Sequence, residues 1–295
     1  MEFDFFIAGF QKCGTTKLKN MLEKFPSVQI QAEEEMLAFF QQDTSLFVKE
    51  IKSYYPDIAP HEKIGAKHVS AILSASYIQR LHDHSPDCKI VLSLRNPVHR
   101  AFSAYLYCRR MGWENEINFK KALTKKSYLY TDEISRRNCD YLGQSNYVYH
   151  IRKLFDIFPR EQIKIFIYEK EFYSEHNLAK KVAKFLQIDI SDIEFASDQG
   201  KKINSFAVPR FPSLTKLLRR QIGILTRFKY LLPAPFTPLF RAMKDNIIKF
   251  NEIDGERPVL DLETQDEMER YFSSQILELE SLLSEDLTIW RRDSH

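Results

Sequence analysis

Residues 9–16 read Gly-Phe-Gln-Lys-Cys-Gly-Thr-Thr, which is the frame of a phosphate-binding loop. As in loops that bind nucleotide triphosphates, two glycines stand five residues apart, and a hydroxyl residue lies two positions after the second glycine. The lysine of such a loop follows the second glycine, where Thr15 stands, whereas this chain carries Lys12. Backbone N–H groups and a helix N-terminus can still bind an anion. The pattern predicts an anion site in which the lysine contacts a different part of the ligand from the part that the lysine of a nucleotide-triphosphate loop contacts.

A second group of polar residues follows the apolar run 89–94. A metal-dependent NTPase needs an acid near such a strand end to organise magnesium, but this run ends at Arg95. Arg95 and Ser103, eight residues later, could bind one phosphate group together. Taken alone, the loop could be an ordinary helix start and Arg95 a surface side chain. Because both features follow predicted strands, together they favour a ligand with two anionic groups.

Both segments resemble the sulfotransferase family that uses 3′-phosphoadenosine 5′-phosphosulfate. FIAGFQKCGTTKL is similar to the family's 5′-phosphosulfate loop, and LRNPVHRAFSAY at 94–105 is similar to its 3′-phosphate motif. The resemblance extends from Phe5 to Trp290 and includes FPREQIKIFIYE before the tail. Cys13 stands where the family more often has glycine or a small residue, and it would act through its backbone N–H. The resemblance implies that the 5′-phosphosulfate is held by Lys12, Cys13, Gly14, Thr15 and Thr16, and the 3′-phosphate by Arg95 and Ser103.

The resemblance also implies a reaction. The chain would transfer a sulfuryl group, in line and without a metal, to a hydroxyl or amine of a glycan or glycolipid. Lys12 would neutralise charge on the oxygen that bridges to the departing nucleotide. In carbohydrate-modifying members a glutamate precedes paired aromatics, so Glu35, ahead of Phe39 and Phe40, is our candidate for the general base. Ala38 places the aromatic pair one residue further away than in that pattern, which leaves Glu34 as an alternative.

A second candidate base is His68. The segment Ile64–His68 resembles either the Glu-Lys-Ser of the carbohydrate-modifying members or the Lys-Thr-His of members that act on small hydroxyl compounds. The ordinary pKa of histidine, ~6.5, makes His68 a competent base, and the acceptor would then be a small hydroxyl metabolite. Because a lone histidine is more often structural, we prefer Glu35. Lys67 is expected to position the acceptor hydroxyl or the sulfuryl oxygens.

Three segments predict strands that lead into these loops, namely residues 3–10, 89–94 and 163–168. Helices are predicted at 16–24, 101–111, 146–158 and 178–186, and the acidic amphipathic stretch 261–290 predicts a closing helix. Strands separated by helices predict an α/β fold, here a single domain 1–295 whose central parallel sheet has helices on both faces. Ligands of such sheets bind at the carboxyl ends of the strands.

Positive charge is concentrated in residues 199–249, which contain eleven Lys or Arg and one Asp. Residues 209–238 hold five of the twelve prolines, so the region around 199–250 is predicted to be a basic insertion or lid. The resemblance places Lys201 and Lys202 in the loop that closes over the nucleotide. An anionic ligand or a membrane surface would suit this segment, and a solvated basic face is the alternative.

The composition of the 295 residues limits the other possibilities. A hydrophobic content of 44% indicates a globular protein, and a net charge of +3 is too small to predict nucleic-acid binding. Four widely spaced cysteines favour a reducing compartment and no zinc site, and the N-terminus has neither a secretory signal pattern nor a long apolar run. We therefore expect a cytoplasmic protein, with peripheral membrane contact through 199–249 as a further expectation.

Two other functions compete with sulfuryl transfer. A nucleotide kinase could use the same loop, but Thr15 in the lysine position and Arg95 at the strand end disfavour it. A nucleotide-sensing or membrane-docking module would use 199–249 as its surface and would have no enzymatic activity.

Overall fold

The computed structural model describes residues 1–32, 35–36, 38–40, 43–55, 62–125, 130, 133–190, 207–209, 246, 250, 252–254 and 258–291. The chain divides into two compact units. The first unit consists of Met1–Arg100, Gln144–Gly200 and Met268–His295, and the second of Ala101–Gly143 and Lys201–Glu267.

Five parallel strands form the sheet of the first unit, in the order β2-β3-β1-β4-β5. The strands are β1 Phe5–Gly9, β2 Val28–Ile30, β3 Lys63–Lys67, β4 Lys89–Leu94 and β5 Ile163–Ile167. Strand β1 lies at the centre, with Ile7 opposite Lys67 of β3 and Gly9 opposite Ser93 of β4. Because the strands are parallel, the segments that follow β1, β3 and β4 leave the same edge of the sheet side by side.

The helices follow in chain order. They are α1 Thr15–Leu22, α2 Thr44–Tyr54, α3 Ala75–His84, α4 Pro97–Arg110, α5 Phe119–Thr124, α6 Glu133–Asn138, α7 Tyr147–Ile157, α8 Tyr168–Glu171, α9 Glu175–Leu186 and α10 Leu262–Leu283. Successive side chains of a strand point to opposite faces of the sheet. Phe5 and Ile7 accordingly belong to the apolar cluster with α1 and α9, whereas Phe6 packs against Phe39 and, on α3, Tyr77. The predicted α/β fold, with a central parallel sheet and helices on both faces, is confirmed.

Strands β2 and β3 were absent from the sequence prediction. Strand β2 has only three residues, and β3 reads Lys-Ile-Gly-Ala-Lys, which lacks an apolar run. Gly65 is required in β3 because a Cβ there would lie 2.0 Å from the ring of Phe5. Close packing of a core phenylalanine therefore explains a residue that weakens the strand pattern.

All five predicted helices are present with shifted bounds, and in two of them an end moves by more than three residues. Helix α4 begins at Pro97 rather than at 101, because Oδ1 of Asn96 accepts hydrogen bonds from the backbone N–H groups of Val98 and His99. The closing helix ends at Leu283, and a separate 3₁₀ turn covers Thr288–Trp290.

The second unit contains α5, α6 and a two-stranded antiparallel sheet of β6 Ala207–Pro209 and β7 Glu252–Asp254. A buried carboxylate organises part of it, since Glu114 accepts hydrogen bonds from the hydroxyl groups of Tyr130 (2.6 Å) and Tyr141 (3.3 Å) and from Nζ of Lys125 (2.9 Å). Most of the predicted basic lid at 199–250 lies outside the described residues. Among the residues that are described, no helix is long and apolar enough to cross a membrane.

Candidate functional site

The loop between β1 and α1 has the backbone of an anion site. Gly14, the residue before α1, has a left-handed φ of 93°, and a Cβ at this residue would lie 2.6 Å from the ring of Phe172, so any side chain there would be both strained and crowded. Lys12 also has a positive φ, 73°, and Cys13 N–H donates to the carbonyl of Phe10 at 3.2 Å. Alternation of left-handed and ordinary residues turns successive N–H groups to one side of a loop.

The N-terminus of α1 completes this loop. Within the described residues, no side chain caps the helix, and its first turn carries no acid. Thr15 is buried, whereas Thr16 is exposed at the start of the helix. Because the first N–H groups of a helix lack intrahelical partners and carry partial positive charge, this end suits a phosphate or sulfate.

The structure brings Arg95 to the loop from the end of β4. Its Nη1 donates to the carbonyl of Lys12 at 3.5 Å, and its guanidinium lies 5.1 Å from the centre of the Tyr168 ring. The side chain is 22% exposed, yet its Nε is buried and has no hydrogen-bond partner in the described part of the chain. This Nε lies 3.9 Å from a carboxylate oxygen of Glu169, so the outer N–H groups of the guanidinium are the ones suited to an anionic ligand.

The other predicted nucleotide ligands are placed differently. Ser103 lies on α4 and is buried, but it belongs to the second unit, so its role stays a prediction. Lys201 and Lys202 lie outside the described residues.

Cys13 has a buried, neutral side chain. Its Sγ lies 3.7 Å from the hydroxyl oxygen of Tyr147, and that hydroxyl donates to the carbonyl of Arg95 at 2.8 Å, so the thiol is the donor to Tyr147. Burial raises the pKa of the Cys13 thiol to about 11, although the nearby Arg100 acts in the opposite direction. Cys13 therefore contributes packing to the loop and no thiolate at neutral pH. Its backbone N–H donates to Phe10, and its predicted role toward the 5′-phosphosulfate stays a prediction.

This environment predicts that Cys13 is unreactive in the folded protein. With its pKa raised to about 11, only about one thiol in a thousand is ionised at pH 8. Iodoacetamide at pH 8 should leave Cys13 unmodified over a period that fully alkylates the protein in denaturant, as peptide mass spectrometry would show. Comparable labelling rates in the folded and unfolded protein would contradict this.

Glu35 and Lys67 form an ion pair at the end of β3. Nζ of Lys67 donates to one carboxylate oxygen at 2.8 Å, and the backbone N–H of Val69 donates to the other at 2.6 Å. The Lys67 side chain is 1% exposed, whereas that of Glu35 is 28% exposed. Both oxygens are thus fixed from the protein side, while the carboxylate keeps access to solvent.

The segment that carries Glu35 is fastened to β3 by neighbouring groups. The side chain of Gln31 accepts from Lys67 N–H at 3.1 Å and donates to the Lys67 carbonyl at 2.9 Å. The backbone N–H of Met36 donates to the same carbonyl at 2.7 Å, and the hydroxyl of Tyr77 donates to the carbonyl of Met36 at 2.7 Å. Sequence analysis gave Gln31 no role, because nothing in a lone glutamine indicates such pairing.

His68 directly follows this pair's lysine at the end of β3. The side chain is buried, and its Nδ1 accepts a hydrogen bond from Ser70 N–H at 3.1 Å. Its backbone N–H donates to the carbonyl of Ile7 at 3.2 Å, which attaches the end of β3 to β1. Glu34, the remaining candidate base, lies outside the described residues. The accessibility of the carboxylate favours Glu35 over His68.

Comparison with known proteins places this chain in a recognised family. A family model described as sulfotransferase domain matches residues 2–208. The structure is similar to that of a sulfotransferase from Alicyclobacillus acidocaldarius, with a TM-score of 0.67, 20% identity and coverage of 99% of this chain and 100% of that chain. A mouse sulfotransferase, SULT7A1 complexed with PAP, gives a TM-score of 0.42 and 18% identity, over 65% of this chain and 60% of that chain. At these identities, the likeness to the Alicyclobacillus protein concerns the fold alone.

Proposed function

The chain belongs to the sulfotransferase domain family, and we propose that it moves the sulfuryl group of 3′-phosphoadenosine 5′-phosphosulfate to a hydroxyl or amine acceptor. The nucleotide supplies the activated sulfuryl group and carries a second anionic group on its 3′ oxygen. The transfer would be in line and would need no metal ion.

One observation supports the proposal, namely that two features suited to anions lie side by side at one edge of the sheet. The first is the start of α1, which no side chain caps among the described residues. The second is Arg95, a partly exposed guanidinium that follows β4 and reaches the carbonyl of Lys12 with Nη1. A nucleotide with phosphate or sulfate at both its 5′ and 3′ positions has the charges that such a site accommodates.

The roles of the residues follow from this arrangement. The backbone of the loop and the exposed Thr16 would hold the 5′ group, and Lys12 would neutralise charge on the oxygen that departs. Arg95 would hold the 3′-phosphate. By the resemblance alone, Ser103 would share that phosphate, and Lys201 and Lys202 would close over the nucleotide.

For the acceptor, we propose a glycan or glycolipid, with Glu35 as the general base. Lys67, the last residue of β3, stands opposite Ile7 of β1, and Ile7 comes two residues before Gly9, where β1 ends. The segment bound to β3 and the loop after β1 therefore lie at the same edge of the sheet. The carboxylate of Glu35 is fixed there and reaches solvent. Lys67 would help to orient the acceptor or the sulfuryl oxygens. A small hydroxyl metabolite with His68 as the base is the second candidate, and the burial of His68 weighs against it.

The decisive experiment compares two nucleotides on the Arg95→Ala variant. We expect this change to weaken binding of 3′-phosphoadenosine 5′-phosphate by ~1.5–3 kcal/mol, the scale of a hydrogen bond to a charged group. Binding of adenosine 5′-phosphate should barely change, because it has no 3′-phosphate. Titration calorimetry with each nucleotide measures both.

A control variant makes this result specific. Arg152→Ala removes an exposed arginine that pairs with Glu278 on the surface, and it should alter neither affinity. Tight binding of the bisphosphate without added magnesium would favour sulfuryl transfer over a kinase, and turnover with any acceptor would exclude a module without enzymatic activity. Equal losses for both nucleotides in Arg95→Ala would show that Arg95 is structural.

A further inference from the structure

Glu169, at the start of α8, accepts two hydrogen bonds from distant parts of the first unit. Its Oε1 accepts from the backbone N–H of Asn96 at 3.0 Å, and its Oε2 accepts from the indole Nε1–H of Trp290 at 2.8 Å. The side chain is 20% exposed. Two N–H donors of fixed position therefore hold this carboxylate in one orientation.

This fixed carboxylate lies next to the guanidinium of Arg95. The distance from Oε1 of Glu169 to Nε of Arg95 is 3.9 Å, which is an ion-pair contact but too long for a hydrogen bond. The Tyr168 ring lies 5.1 Å from the guanidinium carbon, and Nη1 contacts the carbonyl of Lys12. The guanidinium is thus oriented by a charge, a ring and a carbonyl, and it keeps N–H groups available for a ligand.

Trp290 connects this arrangement to the end of the chain. Besides donating to Glu169, it accepts a hydrogen bond from Nδ2 of Asn96 on its backbone carbonyl at 3.0 Å. Its ring is buried and lies 6.2 Å from the ring of Tyr147, whose hydroxyl donates to the carbonyl of Arg95. Trp290 therefore helps to hold the backbone of Arg95 through Tyr147 and the side chain of Arg95 through Glu169.

From these contacts we propose that Glu169 and Trp290 are positioning residues for Arg95, and that they orient its guanidinium for the 3′-phosphate of the nucleotide. This inference rests on the proposed function, because it needs Arg95 to bind that phosphate. It predicts that the tail segment that contains Trp290 contributes to selectivity for nucleotides with a 3′-phosphate, although Trp290 reaches Arg95 indirectly, through Glu169, Asn96 and Tyr147.

The test measures the affinity ratio of 3′-phosphoadenosine 5′-phosphate to adenosine 5′-phosphate by titration calorimetry on the full chain. Glu169→Gln removes the charge and replaces one acceptor by an N–H₂ group, while Trp290→Phe removes the indole N–H and keeps an aromatic ring. We expect the ratio to fall about five- to tenfold in Glu169→Gln and about two- to fivefold in Trp290→Phe, the scale of one lost hydrogen bond. A purely structural loss would weaken both nucleotides equally and leave the ratio unchanged.

Matched substitutions serve as controls. Glu171→Gln makes the same change in α8 at a residue that pairs with Lys181, and Trp113→Phe makes the same change at a tryptophan of the second unit. Both should keep the wild-type ratio. If Glu169→Gln does not fold, Trp290→Phe alone decides.

The outcomes separate this inference from the proposed function. A ratio that falls in Arg95→Ala but not in Glu169→Gln or Trp290→Phe would overturn the positioning role and leave the proposed function intact. A ratio that rises in Glu169→Gln would also overturn it, because Glu169 would then act only as a negative charge that repels the phosphate. A wild-type protein without preference for the 3′-phosphorylated nucleotide would overturn the proposed function and this inference together.

Discussion

Replacing Lys12 by alanine should lower the turnover number by about 10²–10³-fold and weaken binding of 3′-phosphoadenosine 5′-phosphate only a few-fold. The reason is that a cation beside the departing oxygen matters most when charge develops there, in the transition state, and much less in the bound ground state. Single-turnover and steady-state rates, measured with the best acceptor from a panel of glycans and small phenols, give the first quantity. Calorimetric titration gives the second.

The backbone at Lys12 decides which substitution is informative. Its φ of 73° is unfavourable for alanine and lysine alike, so Lys12→Ala adds little new strain, whereas glycine would relax the loop and confuse the result. Lys24→Ala is the matched control, because Lys24 follows α1 and pairs with Glu175 on the surface. An unchanged turnover number in Lys12→Ala, or a loss of nucleotide affinity as large as the loss of turnover, would contradict the assigned role.

The parts of the fold that sequence analysis found are those with local signals. Strands β1, β4 and β5 are apolar runs, and the loop after β1 combines glycines, a lysine and hydroxyl residues within eight positions. Such patterns reflect interactions between residues that are close in the chain, and a single sequence is sufficient to read them.

The parts that sequence analysis missed depend on contacts between residues that are distant in the chain. Pairing of β2 with β3, which sets Ile30 opposite Gly65, is what brings Gln31 to the backbone of Lys67. The hydrogen bond between Trp290 and Glu169 joins residues that are 121 positions apart. The resemblance covers the segment around Glu169 and the tail that contains Trp290, but no spacing rule could show that these two side chains meet.

Removal of the general base is the second change that we expect to lower turnover strongly. Glu35→Gln keeps the size of the side chain and removes its basicity, so it should reduce turnover by about 10²-fold or more. Affinity for 3′-phosphoadenosine 5′-phosphate should stay at the wild-type level, because other residues hold the nucleotide. Glu50→Gln, the same change on α2, is the matched control.

The ion pair with Lys67 requires a separate check on folding. Lys67 is almost completely buried, and removing the charge of its partner leaves it in a costly environment. The melting temperature of Glu35→Gln should therefore be measured beside its turnover. Intact nucleotide affinity would then show that the loss of rate does not come from unfolding.

His68→Asn tests whether His68, and not Glu35, is the general base, with little change to the local structure. The side-chain oxygen of asparagine can still accept the hydrogen bond from Ser70 N–H that Nδ1 accepts now, so the local structure should persist. If Glu35 is the base, this variant should lose little activity and should keep the ascending limb of the pH–rate profile, which Glu35→Gln should lose. The opposite ranking, with His68→Asn inactive and Glu35→Gln close to wild type, would assign the proton to the imidazole. It would also favour a small hydroxyl compound over a glycan as the acceptor, since the family members that His68 resembles act on such compounds.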